Sequence, residues 1–470
     1  MSAPPSPVDS KADAGGEVRS QGSPELRAGW GYADVSDKIA GIVLSGRFGW
    51  RWWSAFLCAC VGVMVLLGAV TWLLVKGVGI WGVDMPVAWG FAISNFVWWI
   101  GIGHAGTFIS AVLLLLRQRW RTSINRFAEA MTLFAASIAG IFPILHLGRP
   151  WFFYWLVPYP NVMNVWPQWR SPLVWDFFAI SSYLSVSLMF WYVGLIPDLG
   201  TLRDRAAARG RRGAQVVYGL LALGWRGEAR HWARFQNAYL LMAGLATPLV
   251  VSVHTIVSLD FAVGNTPGYH STIFPPYFVA GALFSGFAMV LTLAIPLRAV
   301  FGLRDFITGR HLANAAKVLL ATSWLVGYGY LAEAFTAFYS GDEYEIYMTV
   351  NRWTGPYAPI YWSMLALNIA LPQLLWWRRV RASTWALFGL SLAINAGMWM
   401  ERFLIVVSSL HRDYLPSAWG MYYPTVWDWL TLFGSVALFV WLFLLFVRFL
   451  PLISMAEMRE MVHDSAEGKA

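Results

Sequence analysis

Cysteine is nearly missing from this sequence: two residues in 470, Cys58 and Cys60. Both lie in the first long apolar run, and on a helix they point to different faces. That excludes a four-cysteine iron–sulfur site, and no CxxCH haem-attachment motif occurs. An iron–sulfur cluster or a c-type haem must therefore belong to a partner. Charge is also scarce. Only 13% of residues are Asp, Glu, Lys or Arg, and a soluble domain carries about twice that share. What fills the space is apolar: 58% hydrophobic and 17% aromatic residues, with a mean hydropathy of +0.53. This is the composition of a polytopic membrane protein. Residues 1–50 differ, being polar and rich in Pro, Gly and Ser, and 1–25 reads as a disordered tail. It is not a signal peptide, because the first long apolar run begins only near Trp52.

A transmembrane helix needs about 20 apolar residues. Ten runs qualify: 52–75, 89–116, 127–146, 172–196, 235–260, 272–297, 314–339, 358–377, 384–407 and 425–447. Loops after even-numbered spans hold nineteen Lys and Arg, alternate loops only five. By the positive-inside rule both termini are cytoplasmic. The net charge of +9 is then mostly an orientation signal, not a nucleic-acid surface.

Acids inside spans are few, and a charge in hydrocarbon costs at least ~2.5–3.5 kcal/mol, so each is a functional candidate. Asp176, Asp260, Glu333, Glu401 and Asp428 all fall in the outer halves of their spans. Glu129 is the exception, in the first turn of its span on the cytoplasmic side. Apart from it the cytoplasmic halves hold almost no acids, so no complete proton channel is evident, although Ser181, Ser182, Tyr183 and Ser185 could add to one with water.

The sharpest stretch is PILHLGRPWFFYWLVPYP, 143–160. His146 closes the third span, Gly148 suits a left-handed C-cap and Pro150 stops the helix. Arg149 stands beside them. Thirty residues on, SPLVWDF sets Asp176 in the first turns of span four. A loop folded back between adjacent spans would bring His146 and Asp176 together. Histidine plus carboxylate suits a quinol: one group hydrogen-bonds an oxygen while the other takes the proton. The plainer reading is a histidine cap beside an unrelated interfacial Asp. Trp151, Phe152, Phe153, Tyr154, Trp155, Tyr159, Trp166 and Trp169 crowd the loop. They read as an interfacial belt, a docking surface for a peripheral subunit, or both.

VSVHTIVSLD, 251–260, sets His254 and Ser258 on one helix face with Asp260 at the mouth, a proton exit or a packed histidine. His104 in GIGHAG faces the same cavity as His146 in the redox reading, or pairs with His254 around a haem. Tyr183 and His104 join the cofactor-binding candidates. Glu333, Glu401 and Arg402 belong to later spans; Arg402 neutralising Glu333 or Glu401 is the bland reading. Asp428 in PTVWDW is a proton-transfer candidate or a simple interfacial residue.

Spans two to five and six to nine read as parallel repeats. FVWWIGIGHAG (96–106) compares with FVAGALFSG (278–286), and NRFAEAMTLFAAS (125–137) with HLANAAKVLLATS (311–323). The expected fold is an all-α integral membrane protein of ten transmembrane helices. Two parallel-repeat four-helix bundles are flanked by the first and last helices. The expected organisation is a polar segment 1–51, a first span and loop 52–88, bundles at 89–260 and 261–407, and a last span with tail at 408–470. Small residues at 101, 103, 105 and 106 would let helices approach closely.

At PILHLGRPWFFYWLVPYP and SPLVWDF the chain resembles membrane subunits of the NrfD / polysulfide reductase family, including the ten-span subunit of bacterial alternative complex III. The resemblance runs from about Trp52 to about Val447. It implies a bacterial inner-membrane protein with no covalently bound cofactor and a menaquinol or ubiquinol pocket on the outer side of the first bundle. It also implies an iron–sulfur subunit docked there. Further implied partners are c-type cytochromes, a homologous membrane subunit and a terminal oxidase. His146 and Asp176 match the pocket, with Arg149 beside them. His104, His254, Asp260, Glu333, Glu401 and Arg402 match as buried polar positions, read as proton transfer. The implied activity is quinol oxidation with electrons passed to the iron–sulfur partner. The rivals are a quinone-reducing anchor of a polysulfide or DMSO reductase-like complex, a proton-coupled transporter, and an anchor with no ligand.

Overall fold

In a computed structural model, residues 26, 29–45, 49–156 and 168–467 are described. The tail 1–25 and the aromatic residues Tyr159 and Trp166 lie outside them. Among the described residues there is no β-sheet. Ten helices are long and apolar enough to cross a membrane. They are α2 (Trp50–Lys76), α3 (Phe91–Leu115), α4 (Asn125–His146), α5 (Pro172–Ala208), α7 (Ala229–Ala262), α8 (Phe274–Val300), α9 (Gly309–Ser340), α11 (Ala358–Trp376), α12 (Thr384–His411) and α13 (Val426–Phe449). Among the described residues, shorter helices between or beside them include α1 (Tyr32–Leu44), α6 (Arg212–Leu221), α10 (Glu343–Thr354) and α14 (Met455–Ala466).

Burial sorts the spans. In α3 83% of the apolar window is buried, in α2 only 17%, so α3 is central and α2 faces lipid. α3 packs on α4, α8 and α12, and α8 in turn on α7, α9 and α12. The first and last spans, α2 and α13, pack against each other at the edge. Glycine permits the closest approaches. A Cβ on Gly106 would stand 2.1 Å from the Ala128 carbonyl oxygen of α4, and one on Gly286 of α8 would stand 2.3 Å from Ala105 Cβ. The small residues at 101, 103, 105 and 106 lie where helices come together, in keeping with their size.

Two helix ends place the polar groups. α4 stops at His146 because Gly148 takes φ +73° and Pro150 opens a 3-10 turn, Pro150–Leu156. α5 does not stop where its apolar run does. It has 37 residues, about 55 Å at helical rise, and therefore projects beyond a ~30 Å hydrocarbon core. Ten spans put the terminal helices at one end, where α1 meets α14: Tyr32 Oη lies 3.1 Å from His463 Nδ1. We call this the terminal face. His146, Asp176 and Asp260 are at the opposite face.

Candidate functional site

Asp176 is the fifth residue of α5, and Asp260 stands third from the end of α7. These neighbouring antiparallel helices bring the two acids to one depth, close enough for their carboxyl groups to interact. Asp176 is 7% exposed. Two carboxyl groups this close can share one proton, as in carboxyl dyads. The Oδ1 atoms of both residues are buried without a hydrogen-bond partner, so the pair has acceptor capacity for an incoming O–H. The sequence pattern sets Asp176 beside His146; among the described contacts its partner is Asp260. His146 is half-buried at the same face, and its Nδ1 is buried with no hydrogen bond. Arg149 is exposed, as are Trp151, Phe152, Phe153 and Tyr154.

Deeper in, His104 of α3 and His254 of α7 touch, with ring centroids 4.5 Å apart. Rings this close leave no room for a porphyrin between them, so a haem ligated jointly by these two residues does not fit this geometry. His104 Nδ1 is 2.7 Å from the Ile100 carbonyl oxygen; its Nε2 and both nitrogens of His254 are buried without a hydrogen bond. Tyr183 stacks on His104 at 5.3 Å, and its hydroxyl is 2.9 Å from Thr107 Oγ1. Thr132 Oγ1 donates to Gly103 O at 2.5 Å. His104, Thr107 and Ser110 recur every third residue on α3. Ser110 sits in a π-helical turn, Phe108–Val112, the kind of irregularity common at functional sites.

Ser110 Oγ donates to the Gly106 carbonyl oxygen at 2.9 Å on the side of α3 near Glu129, and Glu129 leads to a network that sequence reasoning missed. Arg126, 1% exposed, donates to Glu129 at 3.1 Å and to Asp198 at 3.2 Å. Tyr239 Oη donates to Glu129 at 2.9 Å. From α14, Glu457 lies 3.0 Å from Arg121, and the Ala456 N–H donates to Asp198 at 3.0 Å. The apolar run ends at 196, which would leave Asp198 in a loop. It is instead fully buried, since α5 continues and the terminal helices cover it. The terminal half of the spans is therefore richer in acid than the apolar runs suggest.

On the other side of α8, Glu401 and Arg402 bridge each other at 3.1 Å. Arg402 lies over the Phe278 ring at 4.2 Å, a cation–π contact. Tyr330 donates to Glu401 and receives Asn368 Nδ2 at 2.9 Å. Glu333 pairs with Arg352 of α10, a loop arginine by its sequence, and not with Arg402. Arg352 is also held by Ser408, Ser409 and Gly268 at 2.9, 3.2 and 3.4 Å. Glu333 and Glu401 line a cavity of about 30 Å³, room for one or two waters. Glu333 also lines an open cavity of about 450 Å³ with His270, Asp342 and Glu345. Asp428 differs from these acids. It closes the first turn of α13, accepting from Gly82 N, Tyr422 Oη and Thr425 N, each at 2.8 Å, and from Thr425 Oγ1 at 3.2 Å. Helix capping accounts for it.

The family described as polysulphide reductase, NrfD, matches residues 81–412, the stretch that holds most of these groups. The chain belongs to the NrfD family. A relative from Halobacterium salinarum, named as a membrane subunit of dimethyl sulfoxide reductase, is 28% identical over 241 residues. That alignment covers 49% of this chain and 50% of the relative, so the chain spans about half of that protein's length. An Hdr-like menaquinol oxidoreductase integral membrane subunit from Archaeoglobus fulgidus is 22% identical over 429 residues, covering 87% of this chain and 96% of the relative. Among the described residues of this NrfD protein no group of three His, Cys, Asp or Glu side chains could hold a metal ion.

Proposed function

We propose that this protein is the quinol-oxidising membrane subunit of a respiratory complex of the alternative complex III type, in a bacterial inner membrane with both termini cytoplasmic. At the coarser level, it is a membrane subunit of a menaquinol oxidoreductase or of a DMSO or polysulfide reductase-like complex. Family membership and the two relatives support that level. The observation that carries the finer reading is the Asp176–Asp260 carboxyl pair, with a half-buried His146 at the same face whose Nδ1 has no partner. A quinol presents two O–H groups. His146 Nδ1 accepts from one, and the ionised member of the aspartate pair accepts from the other. Oxidation releases two electrons and two protons. The electrons pass to an iron–sulfur subunit docked on the exposed aromatic loop at this face, and onward to c-type cytochromes, with a homologous membrane subunit alongside. Menaquinol is the favoured substrate, from the Archaeoglobus relative's name.

Protons also have a candidate route through the molecule. Glu129, Ser110, Thr107, Tyr183, His104 and His254 form a polar ladder from the terminal face to the centre. Arg402, Glu401 and Glu333 carry it toward the cavity at the opposite face. This supports proton translocation coupled to quinol oxidation. The Halobacterium relative favours a second reading, a membrane anchor exchanging electrons with a DMSO or polysulfide reductase. It would use the same pocket.

The test is quinol oxidation by the purified native complex carrying His146→Ala, Asp176→Asn or Asp260→Asn, with assembly followed on a native gel. Loss of turnover in an assembled complex supports the assignment. Unchanged turnover in all three removes the site from this face.

A further inference from the structure

The segment between α5 and α7 has no place in the quinol reading, yet its structure is specific. α6, Arg212–Leu221, is pinned to the ends of two spans. Tyr218 Oη donates to the carbonyl oxygen of Phe449, the last residue of α13, at 3.0 Å. Tyr192 Oη, from α5, donates to Leu221 O at 2.8 Å. The side facing the protein is buried, with Tyr218 8% and Ala222 0% exposed. The side facing away is apolar. Val216 and Val217 are 54% and 52% exposed, Leu220 73% and Leu223 69%. Val216, Val217 and Leu220 share one face of α6, and Leu223 follows just beyond its end. Leu188 and Met189 of α5 and Leu240 and Leu241 of α7 are exposed apolar residues as well. Arginines flank it on both sides: Arg209, Arg211 and Arg212 before, Arg226, Arg230 and Arg234 after. Glu228 is the only acid from 209 to 234.

We propose that α6 lies in the membrane–water interface, with its apolar face in the lipid and its flanking arginines holding acidic phospholipid headgroups. A helix at the level of the span ends, apolar outward and flanked by six arginines, has the build of an interfacial helix. The excess of positive charge fits anionic lipid and not a neutral surface. The arrangement also fastens the long overhang of α5, which carries Asp198 into the network at the terminal face.

The experiment uses the intact complex in nanodiscs made from phosphatidylcholine with or without phosphatidylglycerol. Cys58→Ser and Cys60→Ser clear this chain's own thiols, a nitroxide is placed at Val217→Cys or at Gln215→Cys, about 200° away around the helix, and the signal of the complex labelled without either new cysteine is subtracted. The expected result is that oxygen reaches the Val217 label better than a water-soluble nickel chelate does, with the order reversed at Gln215. A Val217 label open to the chelate would overturn the proposal. So would one that neither reagent reaches, because a protein partner then covers the face. Arg209→Gln with Arg211→Gln and Arg212→Gln tests the headgroup part. Phosphatidylglycerol retained by the purified complex should fall at least twofold, and unchanged retention overturns the acidic-lipid assignment.

Discussion

Asp176 and Asp260 give the sharpest expectation at the residue scale. An asparagine at either position keeps the size and can donate to the neighbouring carboxylate, while the capacity to take a proton is reduced. Asp176→Asn and Asp260→Asn should therefore leave the complex assembled and lower quinol turnover about 10²–10⁴-fold, the usual contribution of a positioned acid or base. Steady-state turnover beside a native gel checks both halves. Asp428→Asn should do the reverse. It weakens a cap that accepts four hydrogen bonds, costing about 1–2 kcal/mol of stability. A lowered thermal midpoint with turnover retained is the expected outcome. The depth of each acid was readable in the sequence, because a span's ends follow its apolar run. The partners were only half readable. Asp176 and Asp260 sit near the same end of consecutive spans, which is a usable signal for pairing. Nothing local marks Arg352 as the partner of Glu333, because it comes from a short helix folded back over the spans.

At the scale of elements, apolar length set nine of the ten spans to within a few residues, and α5 broke the pattern. Its apolar run ends at Ile196, and the segment beyond is charged. The overhang is helical because α1, α6 and α14 pack around it and Arg126 meets Asp198, tertiary contacts no local pattern carries. The close crossings were legible through small residues, and they yield a prediction. A methyl on Gly106 would meet the Ala128 carbonyl oxygen and Thr132 Oγ1 at 2.1 Å. Both belong to α4, so a helix must move. Gly106→Ala should destabilise the protein by about 1–3 kcal/mol. It should also spread α3 from α4 at the level of Thr107 and Tyr183. Thermal unfolding of the purified complex measures the first effect. Ala105→Gly, which removes a methyl at the facing crossing, should not reproduce it at that size.

The whole molecule sets two acidic regions at opposite faces, joined by histidines, hydroxyls and a buried arginine. This arrangement separates two roles that one activity assay would merge. The Asp176–Asp260 pair stands where a quinol can reach it; Glu129 does not, being 4% exposed and held by Arg126 and Tyr239 at the other end. Glu129→Gln keeps the size and leaves a hydrogen-bond acceptor for Tyr239. Quinol oxidation measured with an uncoupler should then stay within about twofold of wild type. Proton uptake from the terminal face, followed with a pH dye in oriented proteoliposomes, should fall at least tenfold if the ladder carries protons. Asp176→Asn should abolish both signals, because it acts before the paths divide. Normal proton uptake with Glu129→Gln would remove the ladder from the mechanism and leave the chain an electron-transfer subunit whose buried ions hold the helices in register. Loss of both signals with Glu129→Gln would mean that quinol chemistry itself depends on the terminal face.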